Sequence, residues 1–339
     1  MGGGVIKGII IMNSKIQLSH KFEDIINLDN LLSAWQEFIC GKRNRLDVQE
    51  FQLHLMNNLI ALHHDLATGN YRHGGYQAFC ICDPKPRNIH KASVIDRLVH
   101  HAIYRILYPF FDRTFIADSF SCRLKKGTHK AVNRFRVFSY AVSNNNTRTC
   151  WILKGDIKKF FANIDHKILK NILAEYIPDR KILDLLDGVI NSFNVKTGIG
   201  LPLGNLTSQL LVNIYMNKFD QFVKHKLKVK YYIRYADDFV ILSEDINWLK
   251  NQIGLIDYFL STELKLTFHP DKLYIKTLNS GMDFLGWVNF FDHRTLRTST
   301  KKRMIKRIAE NPKTEVVCSY LGLINYGNTY KIKVKNGFF

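Results

Sequence analysis

Acidic residues are the scarce class in this 339-residue sequence: 29 Asp and Glu stand against 49 Lys and Arg, a formal charge of +20. That balance points to a polyanionic partner, most simply nucleic acid. A membrane surface would serve as well, but no basic amphipathic helix stands out in the chain. Cysteine is sparse too, and the six residues (Cys40, Cys80, Cys82, Cys122, Cys150, Cys318) show no zinc spacing. Cys80 and Cys82 fall on one face of a strand and find no matching pair elsewhere. Reduced, structural cysteines in a cytoplasmic protein are therefore expected. The neighbouring histidines His63-His64 and His100-His101 splay apart on a helix, which argues against a shared metal. Long apolar runs are missing. The opening "MGGGVIKGIIIM" is broken by Lys7 and Gly8, is too short to span a bilayer and precedes no small-residue cleavage site. It also lacks the Ser or Thr pattern of myristoylation, and Met12 is a plausible effective start. No membrane attachment is expected, and residues 1–12 receive no function. Internal repeats and low-complexity blocks are absent. What is present is 46% hydrophobic and 12% aromatic residues, enough for a large core in two or three subdomains.

Apolar periodicity gives the coarse plan. Leu31, Leu32, Trp35 and Phe38, then Phe51, Leu55, Leu59 and Leu62, recur at helical steps within 29–70. "YQAFCICDPKPRNI" (76–89) predicts a strand, a Pro-bounded turn and a returning strand. Val99, Ile103, Ile106, Leu107 and Phe110 mark a helical face that ends near Asp112, and "CWILKGDIKKFF" (150–161) is β-rich. A helical stretch (166–193), a glycine-rich loop "GIGLPLGNLTSQ" (198–209) and a further helix carrying Leu211, Ile214, Tyr215, Phe222 and Leu227 follow. After an acidic hairpin come a helix (246–263), the alternating segments "KLTFH" and "KLYIK", the turn "FLGW" (284–287) and a basic tail with Lys301, Lys302, Arg303, Lys306 and Arg307. Interleaved strands and helices of this kind predict an α+β fold with a sheet backed by helices.

The acidic hairpin is the anomaly. In "RYADDFVIL" (234–242), Asp237 and Asp238 interrupt a run that otherwise reads as a buried strand. Burying two carboxylates without partners costs several kcal/mol. Either they mark a solvent-facing turn or a cation sits on them. Two-metal catalysis needs carboxylates converging on two divalent ions about 3.5–4 Å apart, and Mg²⁺ takes carboxylate and phosphate oxygens. A third ligand is available in Asp156, which ends the apolar strand of "LKGDIKKFF". Asp165, nine residues on, is the expected cap of the next helix.

"YADD" alone is a weak signal, because hairpin tips often carry Asp. Joined to a strand-end Asp about 80 residues upstream, with a helix and a glycine loop between, it resembles the palm of reverse transcriptases over about residues 76–290. The resemblance implies an α+β right-hand polymerase. Its parts would be an N-terminal extension (1–40), fingers (41–149), palm (150–165), fingers and palm helices (166–199), palm (200–290) and a short helical thumb (291–339). It implies a catalytic set of Asp156, Asp237 and Asp238 on two Mg²⁺ ions, with the Ile157 carbonyl as a further metal ligand. Lys85 and Arg87 would clamp the triphosphate of the incoming dNTP, and Phe161 would exclude a ribose 2′-OH. Leu203, Gly204 and Gln209 would line the loop under the templating pair. Lys272 would protonate the pyrophosphate leaving group. "FLGW" would grip the primer, and the tail lysines would follow the duplex of template RNA and cDNA. Taken singly, these residues also suit solvated turns and core packing.

Within that family, Leu203 stands where many bacterial and intron-encoded members carry Gln, and Ser208-Gln209 replaces Ser-Pro. Together with "KPRNI", "DRLVHHAI" and "CRLKKGTHKAV", this resembles the reverse transcriptases of diversity-generating retroelements. That group copies a template-repeat RNA with errors at template adenines, aided by a small basic accessory variability protein. A defence-associated bacterial reverse transcriptase, a catalytically silent RNA-binding protein and a two-metal nuclease are the competing expectations. About 50 residues follow "FLGW", too few for an RNase H domain, a full maturase extension or a zinc endonuclease, so an intron protein acting by itself is not expected.

Overall fold

The computed structural model describes residues 16–82, 86–330 and 334. In chain order the elements are α1 (Phe22–Ile26), α2 (Leu28–Phe38), α3 (Leu46–Leu53), α4 (Leu55–Ala67), β1 (Tyr76–Cys82), β2 (Pro86–Ala92) and α5 (Val94–Asp112). Next come α6 (Thr128–Val142), β3 (Trp151–Asp156), α7 (His166–Ala174), α8 (Arg180–Asn191), α9 (Leu206–Gln221), β4 (Tyr232–Tyr235) and β5 (Asp238–Ser243). The last are α10 (Ile246–Glu263), β6 (Tyr274–Thr277), β7 (Met282–Phe284), β8 (Trp287–Asn289), β9 (Arg294–Leu296), α11 (Thr298–Glu310) and α12 (Thr314–Ile324). The fold is α+β, as the interleaved periodicities predict. The chain forms two compact units. One takes the described residues of 1–110, 166–194 and 204–207; the other takes those of 111–165, 195–203 and 208–339.

The first unit is helical with one hairpin. Leu31, Ala34, Trp35 and Phe38 are buried on one face of α2, and the Trp35 ring lies 5.0 Å from that of Phe51. Asn27 caps α2 by accepting from the Asp29 amide at 2.8 Å. Pro178 separates α7 from α8, so the stretch expected to be helical over 166–193 is two helices. Asp179 then starts α8 by accepting from the amides of Lys181 and Ile182. Strands β1 and β2 pair antiparallel from Tyr76↔Ala92 to Cys82↔Pro86, and most of the hairpin is exposed.

The second unit holds a four-stranded antiparallel sheet in the order β4-β5-β3-β6. Ile152, Ile233, Val240 and Leu242 pack with Phe135, Phe138 and Val142 of α6. The alternate residues Tyr232 and Phe239 meet Phe219 of α9, which also approaches Phe259 of α10. Helices thus cover both faces, which is why residues 239–242 of β5 read as a continuous apolar run. Gly155 is required by this packing, because a β-carbon there would run into the Phe239 ring. A second, three-stranded sheet (β7-β8-β9) is turned by Leu285 and Gly286, at φ +52° and +89°, a two-residue hairpin loop with both residues left-handed. Helices α11 and α12 follow, the first carrying the basic cluster. Among the described residues, no helix is long and apolar enough to cross a membrane.

Candidate active site

The β3–β5 ladder runs from Trp151↔Ser243 to Asp156↔Asp238. Directly opposed residues in an antiparallel pair point to the same face, so register alone brings Asp156 and Asp238 together. The β4–β5 hairpin closes at Tyr235↔Asp238, leaving Ala236 and Asp237 at its tip. Ala236 is left-handed, with φ +55°, a conformation that costs a non-glycine residue about 1–2 kcal/mol. The Ile157 amide donates to the Asp237 carbonyl at 3.2 Å and fastens this tip to the end of β3.

Lysines, not only acids, populate the site. Lys272 ends a short 3₁₀ turn (Pro270–Lys272) that is docked by the His269 amide on the Asp156 carbonyl at 2.8 Å. Its Nζ donates to both carboxylate oxygens of Asp156 at 2.8 Å. Lys154, two residues before Asp156 on the same strand face, is buried. Its ammonium donates to the Asp283 carbonyl at 3.0 Å and lies 3.4 Å from Asp238 Oδ1. That Oδ1 is buried and makes no hydrogen bond. Burial, then the charge of Asp156, then that of Asp238 push the Asp237 carboxyl up to about 6. Burial likewise raises Asp238, and Lys154 opposes the rise.

Beneath the hairpin lies an ion pair absent from the sequence reading. Arg234 and Asp220 are fully buried and joined by two 2.7 Å bonds, and Tyr232 donates to the same carboxylate at 2.7 Å. The guanidinium also donates to Ser119 Oγ at 3.1 Å, Asn213 Oδ1 at 3.3 Å and the Ala236 carbonyl at 3.1 Å. This last bond holds the left-handed residue that precedes Asp237. The available signal was the cation itself, since Arg234 and Lys154 each break an apolar strand. Their partners are set by pairing and could not be read locally.

The other expected site residues fall in several places. Phe161 lies half-buried in a 3₁₀ turn (Phe160–Asn163), edge-on to Phe160, and its carbonyl accepts from the Leu201 amide at 2.8 Å. This ties its turn to the loop that carries half-buried Leu203. Gly204 is left-handed (φ +106°), and a β-carbon there would come within 2.7 Å of Ile89 Cγ2. Gln209 sits on α9, its carbonyl accepting from Asn213 Nδ2 at 3.3 Å. Arg87 is exposed on β2 opposite Ile81, and Lys85 lies outside the described residues. Asp165 stands immediately before α7, its carboxylate 2.6 Å from Lys265 Nζ.

A model of the family described as reverse transcriptase (RNA-dependent DNA polymerase) matches residues 83–289, a span that contains all three acids and Lys272. The chain belongs to the reverse transcriptase family. Among relatives of this reverse transcriptase is protein YkfC of Escherichia coli (strain K12), 24% identical over 77% of each chain. The group II intron-encoded protein LtrA of Lactococcus lactis subsp. cremoris is 26% identical over 65% of this chain and 46% of its own length. The putative COX1/OXI3 intron 2 protein of Saccharomyces cerevisiae is 22% identical over 63% of this chain and 30% of its own. The reverse transcriptase thus spans less than half of these two intron proteins.

The donor set suits a hard divalent cation: three carboxylates, one with a buried Oδ1 that lacks a hydrogen bond. Among the described residues, however, no three His, Cys, Asp or Glu side chains are gathered in a metal-holding group. Both oxygens of Asp156 are engaged by Lys272.

Proposed function

We propose that this reverse transcriptase copies a template-repeat RNA into cDNA with errors concentrated at template adenines, as a diversity-generating retroelement enzyme. The observation that carries the polymerase chemistry is the opposition of Asp156 and Asp238, with Asp237 at the adjoining tip and Lys272 on Asp156. Asp156, Asp237, Asp238 and the Ile157 carbonyl would hold two Mg²⁺ ions. When bound, these supply Lewis acidity toward a primer 3′-hydroxyl and the dNTP phosphates. Lys272 leaves Asp156 and gives its proton to the departing pyrophosphate. Phe161 crowds a ribose 2′-OH and selects dNTPs, while Lys85 and Arg87 neutralise the triphosphate. Residues 41–149 serve as fingers, 166–199 as fingers and palm helices, 150–165 and 200–290 as palm, and 291–339 as a short thumb behind an extension of 1–40. A small basic accessory protein is the expected partner.

The lineage rests on Leu203 and Ser208-Gln209. Gln at position 203 offers hydrogen bonds near the nascent pair, whereas Leu203 only packs, and discrimination by polar contacts is lost. The intron-encoded relatives favour a second reading, accurate copying of an intron RNA. Sequencing cDNA made from primed RNA, dNTPs and Mg²⁺, with any accessory protein encoded alongside, separates the two. Errors opposite adenine support the first and accurate cDNA the second. Asp156→Asn and Asp237→Asn should each abolish extension while RNA binding persists; extension by both variants would sink the metal assignment.

A further inference from the structure

At the opposite end of the β3–β5 ladder, five residues and about 17 Å from the acids, a cavity of about 530 Å³ opens beside Ser243. Three cations, Arg148, Lys228 and Lys230, line it with two aromatic side chains, Tyr231 and Trp248. Its one carboxylate, Glu244, is engaged by Arg148 at 3.0 Å. The catalytic chemistry uses none of these residues.

The site is built rather than incidental. Val229 is 1% exposed, and its amide donates to the Val223 carbonyl at 3.0 Å. Lys224 Nζ donates to the carbonyls of Val229 and Lys230 at 2.9 and 3.0 Å, and Lys228 adopts the left-handed conformation at φ +52°. A buried anchor therefore stands between two lysines and fixes the loop that presents them. The Lys230 ammonium lies 5.2 Å from the Tyr231 ring, which meets Phe138 edge-on at 5.2 Å. Trp248 is set by the first turn of α10, where its amide donates to Asp245 Oδ1 at 3.0 Å.

We propose that this cavity is a second nucleic-acid site, which holds one nucleotide of single-stranded RNA away from the catalytic centre. The volume suits a ligand of that size. The cations match a phosphate, and the half-buried aromatic rings match an unstacked base, the combination by which single strands are held without sequence preference. Duplex RNA keeps its bases stacked and offers nothing to the rings. An acidic peptide would satisfy the lysines alone. The proposal goes beyond the polymerase reading and rests on it only for RNA as the polyanion.

Trp35 and Trp287 are buried whereas Trp248 and Trp151 are half-exposed, so indole fluorescence reports on the cavity. The full chain is titrated with a uridylate hexamer in the absence of Mg²⁺, and thermal melts verify folding. The expected result is quenching that Trp248→Phe removes. A Lys228→Asn, Lys230→Ser double variant should bind about tenfold more weakly, with a salt slope shallower by about 0.7, the value for one phosphate on a single strand. Both variants should extend a short primed template at the wild-type rate. Full quenching in Trp248→Phe, or unchanged affinity and slope in the double variant, would overturn the site. So would capture there of a polyglutamate peptide without any RNA effect. Normal extension without quenching sinks the cavity and leaves the polymerase reading standing.

Discussion

Arg234 shows how much of the acidic hairpin depends on a residue outside the carboxylate cluster. Its guanidinium answers the buried Asp220 carboxylate with two bonds and spends a third on the Ala236 carbonyl. Removing one partner of a buried pair leaves the other charge uncompensated, at a cost of about 3–5 kcal/mol. Arg234→Met should therefore unfold in urea at a much lower midpoint, and Asp220→Asn should do so by a smaller margin. Arg234→Lys keeps the charge but not the fork, so its stability should recover in part while extension stays slow. At Phe161 the expectation concerns selectivity: Phe161→Ala should raise ribonucleotide incorporation with dNTP use little changed, measured by competing NTPs in primer extension. The nearness of Asp156, Asp238 and Lys272 was foreshadowed by short motifs at strand ends. Arg234 and Lys154 were visible only as intrusions in apolar strands, since their partners lie 14 and 84 residues away.

At the scale of elements, α5 carries a titration that the sequence conceals. His100 is fully buried against His73, and burial followed by the His73 charge takes its pKa down to about 3. Burial and then Lys42 take His101 down to about 4. Both rings are neutral in the folded chain, whereas the unfolded chain protonates them near pH 6.5. Their contribution is thus complete above pH 6.5 and is lost as pH falls toward 4, at together about 1–2 kcal/mol per unit. Urea midpoints between pH 7 and pH 4.5 should fall accordingly, and His101→Phe should flatten the slope. Nothing in the spacing of the adjacent histidines announces that both are buried or half-buried beside other cations. Helix α10, by contrast, was legible to the residue, because Asp245 caps it and its apolar period is unbroken.

For the whole molecule, charge is the dominant variable. With a formal +20, RNA held through six or more phosphates should lose about 10³-fold or more in affinity between 50 and 200 mM salt. A flat response in filter binding would remove the basic tail as a nucleic-acid track. The α+β class followed from interleaved periodicities. The division into units did not, because residues 166–194 join residues 1–110 through contacts between segments far apart in the chain, and local patterns carry no record of such closure.

The grip of Lys272 on both oxygens of Asp156 has a consequence for the resting protein. An ammonium sits on the carboxylate that a dication would claim, so on the proposed reading lysine and metal would compete for it. Chelators should leave the melting temperature nearly unchanged. Lys272→Ala should bind Mn²⁺ more tightly in calorimetry while turning over more slowly. On the proposed polymerase reading, the side chain assigned to the leaving group would then also set the threshold at which metal is admitted.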